Sequence, residues 1–483
     1  MKRQPGLCFS AASLSQLLTP SLSLALSAAS VRCCTALLLC AVITQVTHAQ
    51  TLTTLVSFTG SNGSDPLFAP LLQGADGNLY GTTSGGGAHG HGTVFKVTTG
   101  GTLKTLYSFC AKSGCADGSA PYAGLIQAKD GNFYGTTEAG GTNNVGTIFK
   151  ITTGGVLTTL HKFNYNDGAN PYAALLQATD GNFYGTTESG GAHILGTVFK
   201  MTPGGTLTTL HSFDLTDGSS PQAALIQGAD GNFYSTTYNG GTEGYGTAFK
   251  ITSGGTLTTL HTFGDADGRG VVPGLVQASD GNFYGSAGQG GANGYGTVFM
   301  MTPQGTLTTL HSFSATDGAT PNQLALGSDG KFYGTTISGG ANTDGTIFEI
   351  TPQGVFTSLH NFAKSDGADP FAGLVQDTDG KFYGTTSFGG SQNSGTVFRL
   401  DVGLGPFVEA VPTAGKVGAK VKILGTKLTG ATSVSFNGTA AVFTVVSASE
   451  ITTTVPNGAT TGTIRVTTPS GTILSNAAFQ VTP

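Results

Sequence analysis

One short pattern, Asp-Gly-Asn/Lys-Phe/Leu-Tyr, returns seven times along this chain, with its aspartate at Asp76, Asp130, Asp180, Asp230, Asp280, Asp329 and Asp379. The intervals are 54, 50, 50, 50, 49 and 50 residues. A fixed period of this length means that one structural unit is built repeatedly and stacked on itself. One full unit reads Ala174-Leu-Leu-Gln177, a turn Thr179-Asp-Gly-Asn182, then Phe183-Tyr-Gly-Thr-Thr187. A Gly190-Gly191 loop follows, then Gly196-Thr-Val-Phe-Lys-Met-Thr202, a Pro203-Gly-Gly turn and Leu207-Thr-Thr-Leu-His-Ser-Phe213. These are four short β-rich runs, and two of the connections are tight Asp-Gly or Gly-Gly hairpins. Four strands in about 50 residues, each pairing with its sequence neighbour, describe one blade of a β-propeller. A solenoid is the competing architecture, but its repeats run shorter and need polar caps.

The ends of the array favour the propeller. A Leu-x-x-Leu-x-x-Phe-type run, Leu52 to Phe58, precedes the first complete unit, and the last unit stops after Gly395 to Leu400. The early run can supply the missing outer strand of the last unit and stitch a ring shut, leaving no open sheet edge. The fold expected is therefore all-β, a seven-bladed β-propeller over residues 50–402. Its Asp-Gly-Asn and Pro-Gly-Gly turns share one face. The longer loops, after Phe58, Phe109, Phe163 and their equivalents and around each Gly-Gly doublet, share the other, where a rigid scaffold usually displays its function.

Composition agrees with this reading. Glycine makes up 77 of 483 residues, more than twice the usual share of about 7%, and only 10% of residues are charged. Nothing is basic enough to attract nucleic acid. Residues 1–49 hold Lys2, Arg3 and Arg32 but no acid, with an apolar run from Ala36 to Val46 too short to span a bilayer. Thr47-His48-Ala49 then presents small residues at a signal-peptidase cut before Gln50. Export is expected, to the periplasm, cell surface or medium, with a membrane anchor as the alternative. Removing the segment takes the net charge from −5 to −8 and leaves Cys110 and Cys115 as the only cysteines. Two cysteines five apart in an exported protein read as a local disulfide, and that loop alone offers too few ligands for a metal.

After Asp401 the period stops. Val421-Lys-Ile423, Val434-Ser-Phe436, Ile451 to Val455, Gly462 to Val466 and Phe479-Gln-Val481 alternate apolar and polar residues, about seven short strands of a small sandwich. The segment 405–483 resembles the IPT/TIG domain, an immunoglobulin-like module. Family members occur in DNA-binding transcription factors and in exported bacterial proteins. Here the basic residues are Lys416, Lys420, Lys422, Lys427 and Arg465, with two acids, which favours the second group. The repeats, through their Asp-Gly-Asn-Phe-Tyr-Gly-Thr-Thr, Gly-Gly and Gly-Thr-Val-Phe-Lys runs, resemble the GloVer tandem repeat of exported bacterial proteins over residues 51–400. The same register is similar to streptogramin lyases, metal-using propeller enzymes. Their aromatic at the Tyr80, Tyr134 and Tyr184 positions is typically tryptophan, absent from this chain, and their His/Glu set has no match here.

Residues that recur in every unit build the unit; a single site needs asymmetry. Asn62, Asp117, Asp167, Asp217, Asp267, Asp317 and Asp366 each precede a glycine on the loop face. They read as Asx-turns or, alternatively, as a ring of calcium acceptors, with Asp265 and Asp267 the densest pair. His161, His211, His261, His311 and His360 share one position of the outer strand and read as structural. The asymmetric candidates for ligand binding are His89, His91 and His193 on the Gly-Gly loops, with Asn143, Asn144, Tyr245, Asn293, Tyr295, Asn342, Asp344 and Asn393. His89 and His91 can reach one metal ion, but three or four converging ligands are needed. Glu138 and Glu188 hold equivalent places in neighbouring units and read either as a carboxylate pair for glycosidic cleavage or as solvated loop residues. Tyr122, Tyr165, Tyr172, Tyr238, Tyr245 and Tyr295 can stack on sugar rings.

The function expected is non-catalytic: an exported, monomeric propeller that presents its loop face to a glycan or surface protein, with the sandwich as spacer or second module. It calls for no cofactor, calcium aside, and no nucleic acid or membrane span. A metal-assisted polysaccharide lyase or hydrolase and a purely structural surface protein are the alternatives.

Overall fold

The computed structural model describes residues 50–482; the expected export segment 1–49 lies outside the described residues. Apart from one 3-10 turn at Ser113–Cys115, every regular element among them is a strand. In the third unit Leu176–Gln177, Phe183–Thr187, Thr197–Met201 and Leu207–Ser212 pair in chain order, all antiparallel. Threonine, valine and phenylalanine suit a pleated, buried surface. The second strand is buried throughout, and the third is buried except for Lys200.

The recurring pentapeptide works as one device. Gly181 takes φ +85°, which closes the hairpin turn. The Asp180 carboxylate accepts from the Asn182 backbone N–H at 3.0 Å, the Asn182 amide at 2.8 Å and the Tyr184 hydroxyl at 2.9 Å. Lys200 lies 3.2 Å from the same carboxylate, its ammonium 5.5 Å from the Tyr184 ring centre. Burial resists ionisation of Asp180, but the bonds from Asn182, Tyr184 and Lys200 outweigh it and hold the carboxyl at about 2. Its hydroxyl anchored, the Tyr184 ring lies 4.1 Å from Phe233 of the next sheet. The same step repeats at Tyr80–Phe133, Tyr134–Phe183, Tyr234–Phe283, Tyr284–Phe332 and Tyr333–Phe382, with centroids 4.0–4.4 Å apart. The glycine after the tyrosine is also required: a Cβ at Gly185 would lie 2.5 Å from Phe199 Cζ.

Seven such sheets lie between residues 51 and 401, the sixth carrying an extra strand at Ala319–Pro321. Thr51–Ser57 pairs antiparallel with Thr396–Asp401 and completes the last sheet, the closure expected from the offset of the first run. Tyr383 of that sheet then packs with Leu79, Phe95 and Phe58, so last and first sheets share one apolar cluster. A polar stitch runs parallel to it. Gln127, Gln177, Gln227 and Gln277 each accept from the backbone of the preceding unit's turn at 2.8–3.2 Å, and Gln73 does the same for Thr378 across the closure.

The C-terminal segment is an immunoglobulin-like sandwich. Glu409–Val411, Lys420–Leu424, Glu450–Thr454 and Phe443–Val445 form one sheet; Thr439–Ala441, Ser433–Phe436, Ile464–Thr468 and Gly471–Leu474 form the other. A parallel pair, Ala414–Lys416 with Gln480–Thr482, adds two strands, so there are ten short strands where about seven were expected. Val421, Ile423, Val434, Phe436, Ile451, Ile464 and Val466 fill the core. The sandwich rests on the face that carries the tight turns: Ser449 Oγ donates to the Ala75 carbonyl at 2.9 Å, and the Thr378 and Thr426 hydroxyls meet at 3.1 Å. At that junction Asp377 is 2% exposed and its Oδ2 has no hydrogen-bond partner. Burial, then the Asp379 charge and the Glu409 charge, push its carboxyl up to about 7, against bonds from the Asp379 N–H and the Thr378 hydroxyl.

Two outcomes follow. Gly185→Ala overpacks the Phe199 contact and lowers stability by roughly 1–3 kcal/mol in denaturant titration. Asp377 stays protonated in the fold well above its ordinary value of 3.8, so its unfolded form releases a proton first. Stability therefore falls as pH rises from about 4 to about 7, by on the order of 4 kcal/mol. Asp377→Asn removes that slope, which unfolding curves at pH 5 and pH 8 will reveal.

Candidate functional site

The histidines and aspartates that recur on the loop face pair with each other. His161, His211, His261, His311 and His360 Nε2 lie 2.7–3.1 Å from Asp167, Asp217, Asp267, Asp317 and Asp366 respectively. The other carboxylate oxygen of each aspartate accepts a backbone N–H of its own loop, as from Gly264 to Asp267 at 2.7 Å. Two outer strands lack the histidine: Val56 stands there in one, and in the other the Tyr107 hydroxyl donates to Asp117 at 2.6 Å. Asp267 is therefore held by His261 and Gly264, and Asp265 lies 3.3 Å from Arg269.

The Gly-Gly loop candidates are distributed around the molecule. Asn143, Asn293 and Asn342 donate to the backbone carbonyls of Phe163, Phe313 and Phe362, while Asn144 and Asn393 accept from Gly140 and Gly389. These amides brace their own loops. His89 and His193 are exposed, Tyr245 lies under the Arg269 guanidinium, Tyr295 is 42% exposed, and Asp344 pairs through backbone with Gly339. None of them lines the cavity to which all seven units contribute.

That cavity, of about 410 Å³, is bounded by the segments that enter each first strand: Phe68 to Leu72, Gly124-Leu125, Tyr172 to Ala174, Gln222, Val272 to Gly274, Asn322-Gln323 and Phe371. The position five residues before the stitching glutamine decides its character. It is Phe371, Phe68, Tyr122 and Tyr172 on four successive units, then Gln222 and Val272; the sixth unit, one residue shorter here and with Leu326 in place of the glutamine, has Asn322 after its proline as Tyr172 follows Pro171. The four aromatics form an arc: Phe371–Phe68 at 5.6 Å, Phe68–Tyr122 at 6.3 Å and Tyr122–Tyr172 stacked at 5.2 Å.

Two carboxylates accompany the arc. Asn170 donates to Glu138 at 2.9 Å and Gln222 donates to Glu188 at 2.7 Å. Burial raises the Glu138 carboxyl, the Glu188 charge adds to it, and the Asn170 amide pulls the other way. Burial raises the Tyr122 and Tyr172 phenols, with Glu138 contributing to the first and Glu188 and Glu138 to the second. The glutamates are thus neither fully solvated nor isolated; their fields overlap at Tyr172. Such a site offers flat apolar rings for stacking and carboxylates and amides for hydroxyl groups. Of its aromatics, sequence reading reached Tyr122 and Tyr172 but missed Phe68 and Phe371. Aligning the units on the glutamine exposes all four, because this position changes where its neighbours repeat.

Cys110 and Cys115 are joined by a disulfide in the loop that follows Phe109. His91 of the adjoining Gly-Gly loop lies beside them, its Nδ1 2.9 Å from Ser119 Oγ.

Sheets, ring closure and sandwich define an all-β repeat protein of the propeller type with an immunoglobulin-like domain. The chain belongs to the Gloeobacter/Verrucomicrobia repeat family, whose model matches residues 40–229 and 221–441, and an IPT/TIG domain matches residues 406–481. No curated protein sequence matches it. Among solved structures it is similar to a fungal alcohol oxidase of the AA5 family in complex with copper, at 14% identity and TM-score 0.53 over 90% of this chain and 99% of that one. It is also similar to a protein assigned as a gluconolactonase, at 11% identity and TM-score 0.38 over 74% and 94% of the two chains. A third is the extracellular domain assigned to a hybrid two-component system of Bacteroides thetaiotaomicron, at 11% identity and TM-score 0.47 over 90% and 60%. At these identities the first likeness concerns the fold alone. No helix among the described residues is long and apolar enough to cross a membrane.

Because Asp217 serves both a ring nitrogen and the Asp214 N–H, Asp217→Ala strands two donors and costs about 1–3 kcal/mol in thermal or denaturant unfolding. His211→Ala loses one bond and costs less.

Proposed function

We propose that this protein is exported and binds a glycan, without transforming it, at the mouth of a single ring whose seven sheets are its blades. The observation that carries this reading is the arc Phe371–Phe68–Tyr122–Tyr172 beside a cavity that every unit helps to line. Aromatic faces stack on the C–H faces of sugar rings, and the amides and carboxylates around them accept or donate to hydroxyls. With Asp65, Glu138 and Glu188 near the tyrosines, the preferred ligands are neutral or amino sugars, not uronic acids. Export is supported by the pattern of residues 1–49 and by the Cys110–Cys115 bond. The sandwich, seated on the opposite face, leaves the mouth free and serves as spacer or second module; the protein acts as a monomer.

Titration calorimetry of the mature protein against neutral, amino-sugar and uronic polysaccharides tests the proposal. Binding of a neutral or amino-sugar chain is expected, weakened at least about five-fold by Tyr172→Ala and unaffected by Tyr295→Ala. Binding that ignores Tyr172→Ala sinks the mouth as the site, and no binding to any of them leaves a structural role. Glu138 raised beside Glu188 also favours one alternative, a hydrolase. Release of reducing ends by the wild type, lost in Glu138→Gln, would establish it.

A further inference from the structure

The interval between the first two repeats is 54 residues where the others are 49 or 50, and the loop from Phe109 to Asp117 accounts for it. Phe163 to Asp167, its counterpart, is four residues shorter, and the insertion brings both cysteines. His91 departs from the repeat as well. Its counterparts are Val145, Leu195, Tyr245, Tyr295, Asp344 and Ser394. These three departures, from two loops, meet in one place: the His91 ring nitrogen, Cys110 Sγ and Cys115 Sγ lie within 4.8 Å of one another. This supplies the third ligand that the cysteine loop lacks on its own.

We propose that Cys110, Cys115 and His91 form a redox-gated site for a thiophilic d10 cation, monovalent copper, closed in the disulfide form and open when the pair is reduced. Two thiolates and one imidazole form a soft, three-donor set suited to that ion. Opening takes a two-electron reductant, for which a dithiol serves. It passes two electrons and two protons to the Cys110–Cys115 bond, giving two thiols, and itself becomes a disulfide. Binding of Cu⁺ then displaces the two thiol protons, since thiolates are the ligands.

The loop keeps its shape without the sulfur bond. Asp117 accepts from the Ala111 and Lys112 N–H groups at 3.0 and 3.1 Å, and the Gly118 and Gly141 N–H groups donate to the Cys115 carbonyl at 2.9 Å. The span between the cysteines, Ala111 to Gly114, is exposed, and beyond the two residues that Asp117 holds, Ser113 and Gly114 can adjust as the sulfurs part. Ser119 holds the imidazole in place, its hydroxyl 2.9 Å from Nδ1; in the tautomer that carries its proton on Nδ1, Nε2 keeps its lone pair for the metal.

The test uses the full mature protein under argon, reduced with a phosphine, and Cu⁺ supplied against the coloured chelator bicinchoninate. One equivalent of Cu⁺ is expected to leave the chelator for the reduced protein and none for the oxidised protein or for Cys110→Ser/Cys115→Ser. His91→Ala is expected to bind at least about ten-fold more weakly, with both thiols still titrating in a disulfide-exchange assay and its melting temperature unchanged. Equal affinity in His91→Ala, or copper uptake by the oxidised form, overturns the site. So does a folded, reduced wild type that takes up no copper.

Discussion

The stack of a tyrosine from one sheet on a phenylalanine from the next is the contact on which the rest of the molecule depends. A four-stranded sheet cannot bury both faces alone; each must lie on a neighbour. Tyr184 reaches Phe233 because its hydroxyl is held by Asp180, and Asp180 is held by the turn it begins. Turn, anchor and stack are therefore one unit of five residues, and the period of the sequence is the period of that contact. In the first sheet Leu79 stands where the others have phenylalanine, and it is there that Tyr383 arrives to complete the circuit.

A scaffold so repetitive leaves few positions free to differ, and the differences acquire meaning from where the fold puts them. The aspartate and histidine of the loop face recur as structural residues do, and five units use them as a clasp between the outer strand and its following loop. The asparagines of the Gly-Gly loops brace backbone. The departures that face open space lie elsewhere: Phe371, Phe68 and Tyr172 on one side of the shared cavity with Tyr122 packed between the last two, amide and valine side chains opposite, and a lengthened loop beside His91.

The sandwich adds a second kind of asymmetry. It rests on the turn face and buries Asp377, a carboxylate with one unpartnered oxygen, at the junction. Leu72 lines both the cavity that the seven units share and a second space between the turn face and the sandwich. The face that carries the tight turns is thus occupied, and the loop face carries the aromatic arc.

Much of the fold was legible without coordinates, because strand, turn and closure are encoded locally. Glycine-bearing turns, alternating apolar residues and the early Leu52–Phe58 run specify four-stranded units and the partner of the last one. The candidate site was legible only in part. Tyr122 and Tyr172 stood out as aromatics on the loop face, but Phe68 and Phe371 belong to opposite ends of the array and become neighbours only when Thr51–Ser57 pairs with Thr396–Asp401. Likewise the order of residues puts two cysteines in one short loop, but it takes the packing of the adjoining Gly-Gly loop to bring His91 beside them. Burial at Asp377 was hidden for the same reason: local pattern dictates what each residue prefers, but which residues meet depends on how the ring closes and where the sandwich comes to rest.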